Sequence, residues 1–281
     1  MPLIAKTVAD GFLHGLHQSR QRGVGIEFSQ FRSYEDGDDL SRIDWKLFAR
    51  SDRYFVREAE RESEIAVWFV LDTSASMGVT SEDGWSKMEY AAHLIATLSY
   101  IAYRQGDRIG FLALSSDKQQ IIPLGNGQQH WMSILKTLAL LQPGSPFPSP
   151  QKVAHLLKPL QVPGLIFLIS DFYQNDDEIY AFARSLTSPK TDLNAIHVTN
   201  DEEENFPFKG IIRFEDAESR EQILVSGSEA RNIYLKAKTE FQEDLERWCG
   251  EQSIAYTSVN VDSPLDQSVF DFLKTRERGA R

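Results

Sequence analysis

The chain alternates short, unbroken apolar runs with longer stretches whose apolar positions recur at helical spacing. Residues 65–71, Ile-Ala-Val-Trp-Phe-Val-Leu, form the first such run, and near-continuous hydrophobicity of this length marks a parallel strand buried on both faces. Residues 87–104 place Met88, Ala91, Ala92, Ile95, Leu98 and Ala102 along one side of a helix. The strand signature returns at 109–114, 164–171 and 193–198. Residues 120–124 suit an edge strand, because Pro123 has no N–H to give a central ladder. Helices are expected over 7–20, 128–141, 152–160, 176–186, 229–248 and 265–274, and a strand over 254–259. Residues 211–214 and 222–225 read as a small hairpin, and the four prolines of residues 143–150 as a stiff loop.

The order β-α-β-β-α-α-β-α-β predicts an α/β domain, a doubly wound, mostly parallel sheet with helices on both faces. That domain is expected over residues 63–276, with the hairpin inserted near 210–226. Residues 1–62 read as an N-terminal extension. From Arg32 to Arg61 the extension carries seven basic and eight acidic residues with aromatics throughout, among them Tyr34, Trp45 and Phe48. Solvated charge runs lack aromatics at this density, so the segment is expected to be ordered and docked on the main domain. Its aromatics would pack while its charges pair; a partner-recognition surface is the competing reading.

Composition narrows the partners. A hydrophobic fraction of 41% with 25% charged residues is that of an ordinary soluble protein. The formal net charge of −11 argues against nucleic acid or an anionic membrane as the main partner. No window approaches the roughly 18 to 20 apolar residues of a membrane-spanning helix. Cys249 is alone, so no intrachain disulfide forms, and a reducing, cytoplasmic location is expected. Cys249 itself reads as a small buried apolar residue.

The chemistry sits where the apolar runs stop. Residues 65–71 give way at once to Asp72-Thr73-Ser74-Ala75-Ser76, and the run from 164 ends on Ser170-Asp171. Open α/β sheets place their ligand sites just beyond such carboxyl ends. A carboxylate and two hydroxyls at alternate positions are hard oxygen ligands suited to Mg²⁺. Parallel pairing would bring Asp171 alongside Asp72. The competing reading is structural: Ser74 and Ser76 cap the following turn, and Asp171 accepts from the same loop.

The run Phe69-Val70-Leu71-Asp72-Thr73-Ser74-Ala75-Ser76-Met77 resembles the metal-ion-dependent adhesion site, or MIDAS, of von Willebrand factor type A domains. The resemblance implies a metal held directly by Ser74 and Ser76, with Asp72 and Asp171 acting at the metal or through water. A sixth position would be left for an acidic group of a partner. The family adds a Thr from an intervening loop; here the matching stretch is Ser145-Pro146-Phe147-Pro148-Ser149, so Ser145 or Ser149 stands in for it. The implied ion is Mg²⁺, with Mn²⁺ or Ca²⁺ as alternatives.

A second resemblance covers nearly the whole chain. Arg32-Ser33-Tyr34-Glu35-Asp36-Gly37-Asp38-Asp39-Leu40-Ser41-Arg42-Ile43-Asp44-Trp45-Lys46 and Ala49-Arg50 are similar to the hallmark of the bacterial "domain of unknown function 58" proteins. These join such a segment to a von Willebrand-like domain and are commonly encoded beside a MoxR-type AAA+ ATPase. The resemblance thus implies a non-enzymatic, metal-dependent protein-interaction module acting with such an ATPase on a client protein.

Two rivals are a metal-free scaffold with a degenerate MIDAS and a divalent-metal-dependent hydrolase. The hydrolase lacks sequence support. A second Asp two residues after Asp72, a Gly-x-Ser-x-Gly elbow and a phosphate-binding Gly-rich loop are all missing, and the six histidines show no ligand spacing. The acidic run 201–204 reads as a solvated loop, with the alternative that, lying after a core strand, it borders the metal face.

Overall fold

The structure, a computed structural model, describes residues 31–33, 48, 50, 54–57, 65–81, 84–174, 177–270 and 272. The expected helix over 7–20 and most of the hallmark segment, including Tyr34 and Trp45, lie outside these residues. The chain divides into two units, one within residues 14–64 and one whose described part begins at Ile65. In the former, β1 (Phe31–Ser33) and β2 (Phe55–Arg57) pair antiparallel, and the rings of Phe48 and Tyr54 stack 4.5 Å apart.

The larger unit follows the expected alternation. Its elements are β3 (Ala66–Asp72), α1 (Lys87–Arg104), β4 (Arg108–Leu114), β5 (Gln119–Gly125), α2 (Gln128–Leu138), α3 (Pro150–Leu160), β6 (Gly164–Ser170), α4 (Glu178–Leu186) and β7 (Thr191–Thr199). Then come α5 (Asp201–Asn205), β8 (Ile211–Glu215), β9 (Gln222–Ser226), α6 (Gly227–Glu251) and β10 (Ala255–Asn260). Residues 265–270 are helical. Six strands form one sheet in the order β10-β7-β6-β3-β4-β5, parallel throughout except for β5. Between the pairs Ile109–Gly125 and Phe111–Ile122 the β4–β5 register shifts, and Pro123 falls in that bulge.

The central strand β3 is buried at every position, and its alternate residues feed two cores. Val67, Phe69 and Leu71 face α1 and α2, where Ile95, Leu98, Trp131 and Ile134 pack. Trp68 and Val70 face α3, α4 and α6, meeting Val153, Leu160, Phe182 and Cys249. Burial pushes the Cys249 thiol up to about 12, so the side chain is a thiol and a packing group at neutral pH. Trp68 needs room on its side: a Cβ at Gly110 would lie 2.5 Å from its ring.

Local chemistry sets the ends. Ser86 opens α1 with a reciprocal cap, its Oγ accepting from Glu89 N–H at 3.1 Å while Glu89 Oε2 accepts from Ser86 N–H at 3.0 Å. Pro150 begins α3, a position where the missing N–H costs nothing, so that helix starts two residues earlier than the periodicity predicts. The acidic run 201–204 departs further. It forms α5 with Asn200 Oδ1 accepting from Glu203 N–H at 2.8 Å, and four acidic residues favour a helix N-terminus.

Candidate functional site

The carboxyl ends of β3 and β6 lie side by side in the sheet, which places Asp72 next to Ser170 and Asp171. Asp72 is buried and fully bonded. Its Oδ1 accepts from Ser74 N–H at 2.8 Å and its Oδ2 from Ser170 Oγ at 2.6 Å. Ser170 Oγ in turn accepts from Phe172 N–H at 2.9 Å. Asp72 thereby locks the two strand ends together while shaping the turn that follows it. Phe172 sits at φ 56°, a left-handed conformation that an L side chain adopts at a cost of about 1–2 kcal/mol.

Beyond Asp72 the chain makes one 3-10 turn, Ala75–Gly78, which sequence periodicity does not foresee. The turn brings three oxygens into one row. Ser74 Oγ and Ser76 Oγ are 3.1 Å apart, and Ser76 Oγ donates to Asp171 Oδ1 at 3.2 Å. Asp171 Oδ1 also accepts from Tyr173 N–H at 3.3 Å. Its Oδ2 faces a partner the sequence reading missed: the Lys87 ammonium, 3.1 Å away and also paired with Glu203. Lys87 is 1% exposed, and its charge lies 5.1 Å from the centre of the Tyr173 ring. Burial alone would lower the Lys87 pKa, but Asp171 and Glu203 outweigh it and hold the ammonium above its ordinary range.

The charges do not balance. One ammonium, Lys87, pairs with the buried Asp171 and the half-buried Glu203, while Asp72, buried near Asp171, has no ion pair among the described residues. Burial first, and then the charge of Asp171, push Asp72 up to about 7. Burial likewise raises Glu203, whose Oε2 is buried without a hydrogen-bond partner. The group has room for further positive charge.

The divalent cation that the MIDAS resemblance implies can be tested against this geometry. Oxygens adjacent in an octahedral Mg²⁺ shell of 2.0–2.1 Å bonds stand about 2.8–3.0 Å apart. The steps Ser74–Ser76 and Ser76–Asp171, at 3.1 and 3.2 Å, are hydrogen-bond lengths slightly longer than that spacing, so these three oxygens need only draw a little closer to fit the ion. Among the described residues no group of three or more His, Cys, Asp or Glu side chains is arranged to hold a metal. The fit therefore rests on hydroxyls together with Asp171.

Ser145 does not join them through any bond found here. Its N–H donates to Asp117 Oδ1 at 3.3 Å, and Asp117 is also held by Ser115 Oγ at 2.9 Å. Ser149 serves as the residue before α3 and makes no side-chain cap bond there. Neither serine is bonded to the oxygen row in this structure. Ser145 lines a cleft of about 690 Å³ with Ala75, Asp117, Glu215, Glu218 and Arg220. Gly78 lets this wall close on the turn, since a Cβ there would stand 2.8 Å from Pro143.

Glu218 is the other residue that sequence reasoning missed. It comes from the β8–β9 turn, and its Oε1 accepts from Ser76 N–H at 3.2 Å. Nothing in its local sequence signals this contact across 142 residues. Lys87 offered one faint signal, a cation at the start of a helix whose other inward positions are apolar.

The sequence profile of the family described as "Protein of unknown function DUF58" matches residues 30–244. "Uncharacterized protein Rv1480" of Mycobacterium tuberculosis (strain ATCC 25618 / H37Rv) is 27% identical over 285 residues, covering all of this chain and 89% of that protein. "Uncharacterized protein YeaD" of Bacillus subtilis (strain 168) is 24% identical over 109 residues, covering 39% of this chain and 25% of that protein. Among solved structures, the hypothetical protein BatB from Bacteroides thetaiotaomicron is similar with a TM-score of 0.44 and 14% identity, covering 75% of this chain and 99% of that one. The SpRpn10 VWA domain is similar with a TM-score of 0.41 and 10% identity, covering 74% of this chain and 94% of that one.

Proposed function

The chain belongs to the DUF58 family, and from that premise we propose that it is a non-enzymatic, cation-dependent protein-interaction module. The observation that carries the proposal is the row of Ser74 Oγ, Ser76 Oγ and Asp171 Oδ1, spaced only slightly wider than neighbouring ligands of Mg²⁺ would be. Bound there, a divalent cation supplies a Lewis-acidic point that an acidic side chain of a partner can complete. The chain's own groups do the rest. Asp72 holds the turn in shape through Ser74 N–H and Ser170, and Lys87 fixes the free oxygen of Asp171. Mn²⁺ and Ca²⁺ share the same oxygen preference.

The site is furnished for binding more than for bond breaking. A serine nucleophile needs a base to take its proton. The hydroxyls here neighbour each other and Asp171, while the buried His197 has its Nδ1 2.8 Å from Tyr256 Oη. The partner, a MoxR-type AAA+ ATPase with its client protein in the cytoplasm, follows from the family resemblance alone. No described helix is long and apolar enough to cross a membrane.

One observation favours the metal-free scaffold: the Lys87 ammonium already pairs with the carboxylate expected at the metal. Calorimetric titration with Mg²⁺ separates the two readings. The interaction module binds Mg²⁺ and retains a purified MoxR-type ATPase in its presence, and both properties vanish in Asp72→Ala and Ser76→Ala. Retention of the ATPase unchanged in EDTA would sink the cation-dependent reading.

A further inference from the structure

The β8–β9 turn is built to present one side chain. Asp216 Oδ1 accepts from Glu218 N–H at 3.0 Å and from Ser219 N–H at 2.6 Å, and Arg220 pairs with Glu215 at 3.1 Å. These bonds fix the backbone around Glu218 and aim its carboxylate at the 3-10 turn. Glu218 Oε1 is taken by Ser76 N–H. Its Oε2 is buried without a well-formed hydrogen bond, and the neighbouring Ala75 amide also stabilises the carboxylate. A carboxylate oxygen stripped of water and left without a well-formed bond is costly unless a cation completes it. The residue whose amide holds Glu218 is the same Ser76 whose hydroxyl belongs to the oxygen row.

We propose that Glu218 is the site's own acidic ligand. The hairpin delivers in cis the carboxylate that a partner would otherwise bring, so an acidic partner must displace the hairpin before it can dock. This inference rests on the cation reading above, and goes beyond it by naming the group that occupies the docking position in the free chain. The other face of the hairpin gives a displacing partner something to hold. Ile211 and Leu224 are more than half exposed there.

The test uses Mn²⁺ as probe on the full chain, read by calorimetry and by water-proton relaxation enhancement. Glu218→Ala is expected to weaken Mn²⁺ binding by about tenfold or more and to raise the relaxation enhancement per bound ion, because water takes the vacated place. Glu218→Gln keeps the side chain's shape and is expected to shift both readouts in the same direction, which separates ligation from a folding defect. Glu221→Gln removes the same charge from the same hairpin and is expected to change neither. Equal affinity and relaxation in the native chain and both Glu218 variants overturns the proposal while leaving the cation reading intact. Absence of Mn²⁺ binding in the native chain and in the Glu218 variants alike overturns the cation reading, and this inference with it.

Discussion

At the scale of single residues, Lys87 decides what kind of site this is. A lysine with 1% exposure is tolerated only because two carboxylates hold it, and they in turn are tolerated because of it. Lys87→Met keeps the length of the side chain and removes the charge. Urea unfolding is expected to show a loss of about 3–5 kcal/mol, the usual cost of leaving a buried charge without its partner. A loss under about 1 kcal/mol would show that the two carboxylates need no lysine to stay in place. The sequence made Asp72, Ser74, Ser76 and Asp171 legible because each follows directly on an apolar run, where position alone implies a strand end. Lys87 and Glu218 were not legible, and Glu203 was legible only as part of an acidic run after a core strand. Their roles depend on pairings across 84, 116 and 142 residues, which leave no periodic trace.

At the scale of elements, patterning carried most of the reading. Strands β3, β4, β6 and β7 are buried in parallel array, so their hydrophobicity is continuous and hard to mistake. Elements stabilised by one or two side chains escaped notice. The short helix α5 follows from its Asn200 cap, and the 3-10 turn after Asp72 from bonds to the side chains of Asp72 and Glu218, rather than from period. Helix α1 lies between these cases: its apolar face was visible, and its start is fixed by the reciprocal Ser86–Glu89 cap. Ser86→Ala is expected to cost about 1 kcal/mol of stability, measured by denaturant midpoint. Since the cap immediately precedes Lys87, the variant is also expected to speed amide exchange in the first turn of α1. Unchanged exchange there would show that the Lys87 pairings alone hold the helix start.

At the scale of the whole molecule, the buried polar groups tie the fold to pH. His197 is fully buried on β7, and burial, with the Lys87 charge behind it, lowers its pKa to about 4. Between pH 4 and 6.5 the unfolded chain therefore binds a proton at this residue that the folded chain refuses. Its contribution to stability is complete above pH 6.5 and is lost as pH falls toward 4, by roughly 3 kcal/mol in all. Stability profiles of the native chain and His197→Asn are expected to converge across that window; parallel profiles would show that His197 charges freely in the fold. The sheet's outer border has a different consequence. Strand β5 runs against its neighbours, bends at a bulge and contains Pro123, which has no amide hydrogen. Those are the traits by which natural proteins discourage another backbone from adding to a sheet. A partner is thereby steered away from lengthening the sheet along β5 and toward contacts made by side chains, which favours a recognition event that is reversible and selective over one that propagates from copy to copy.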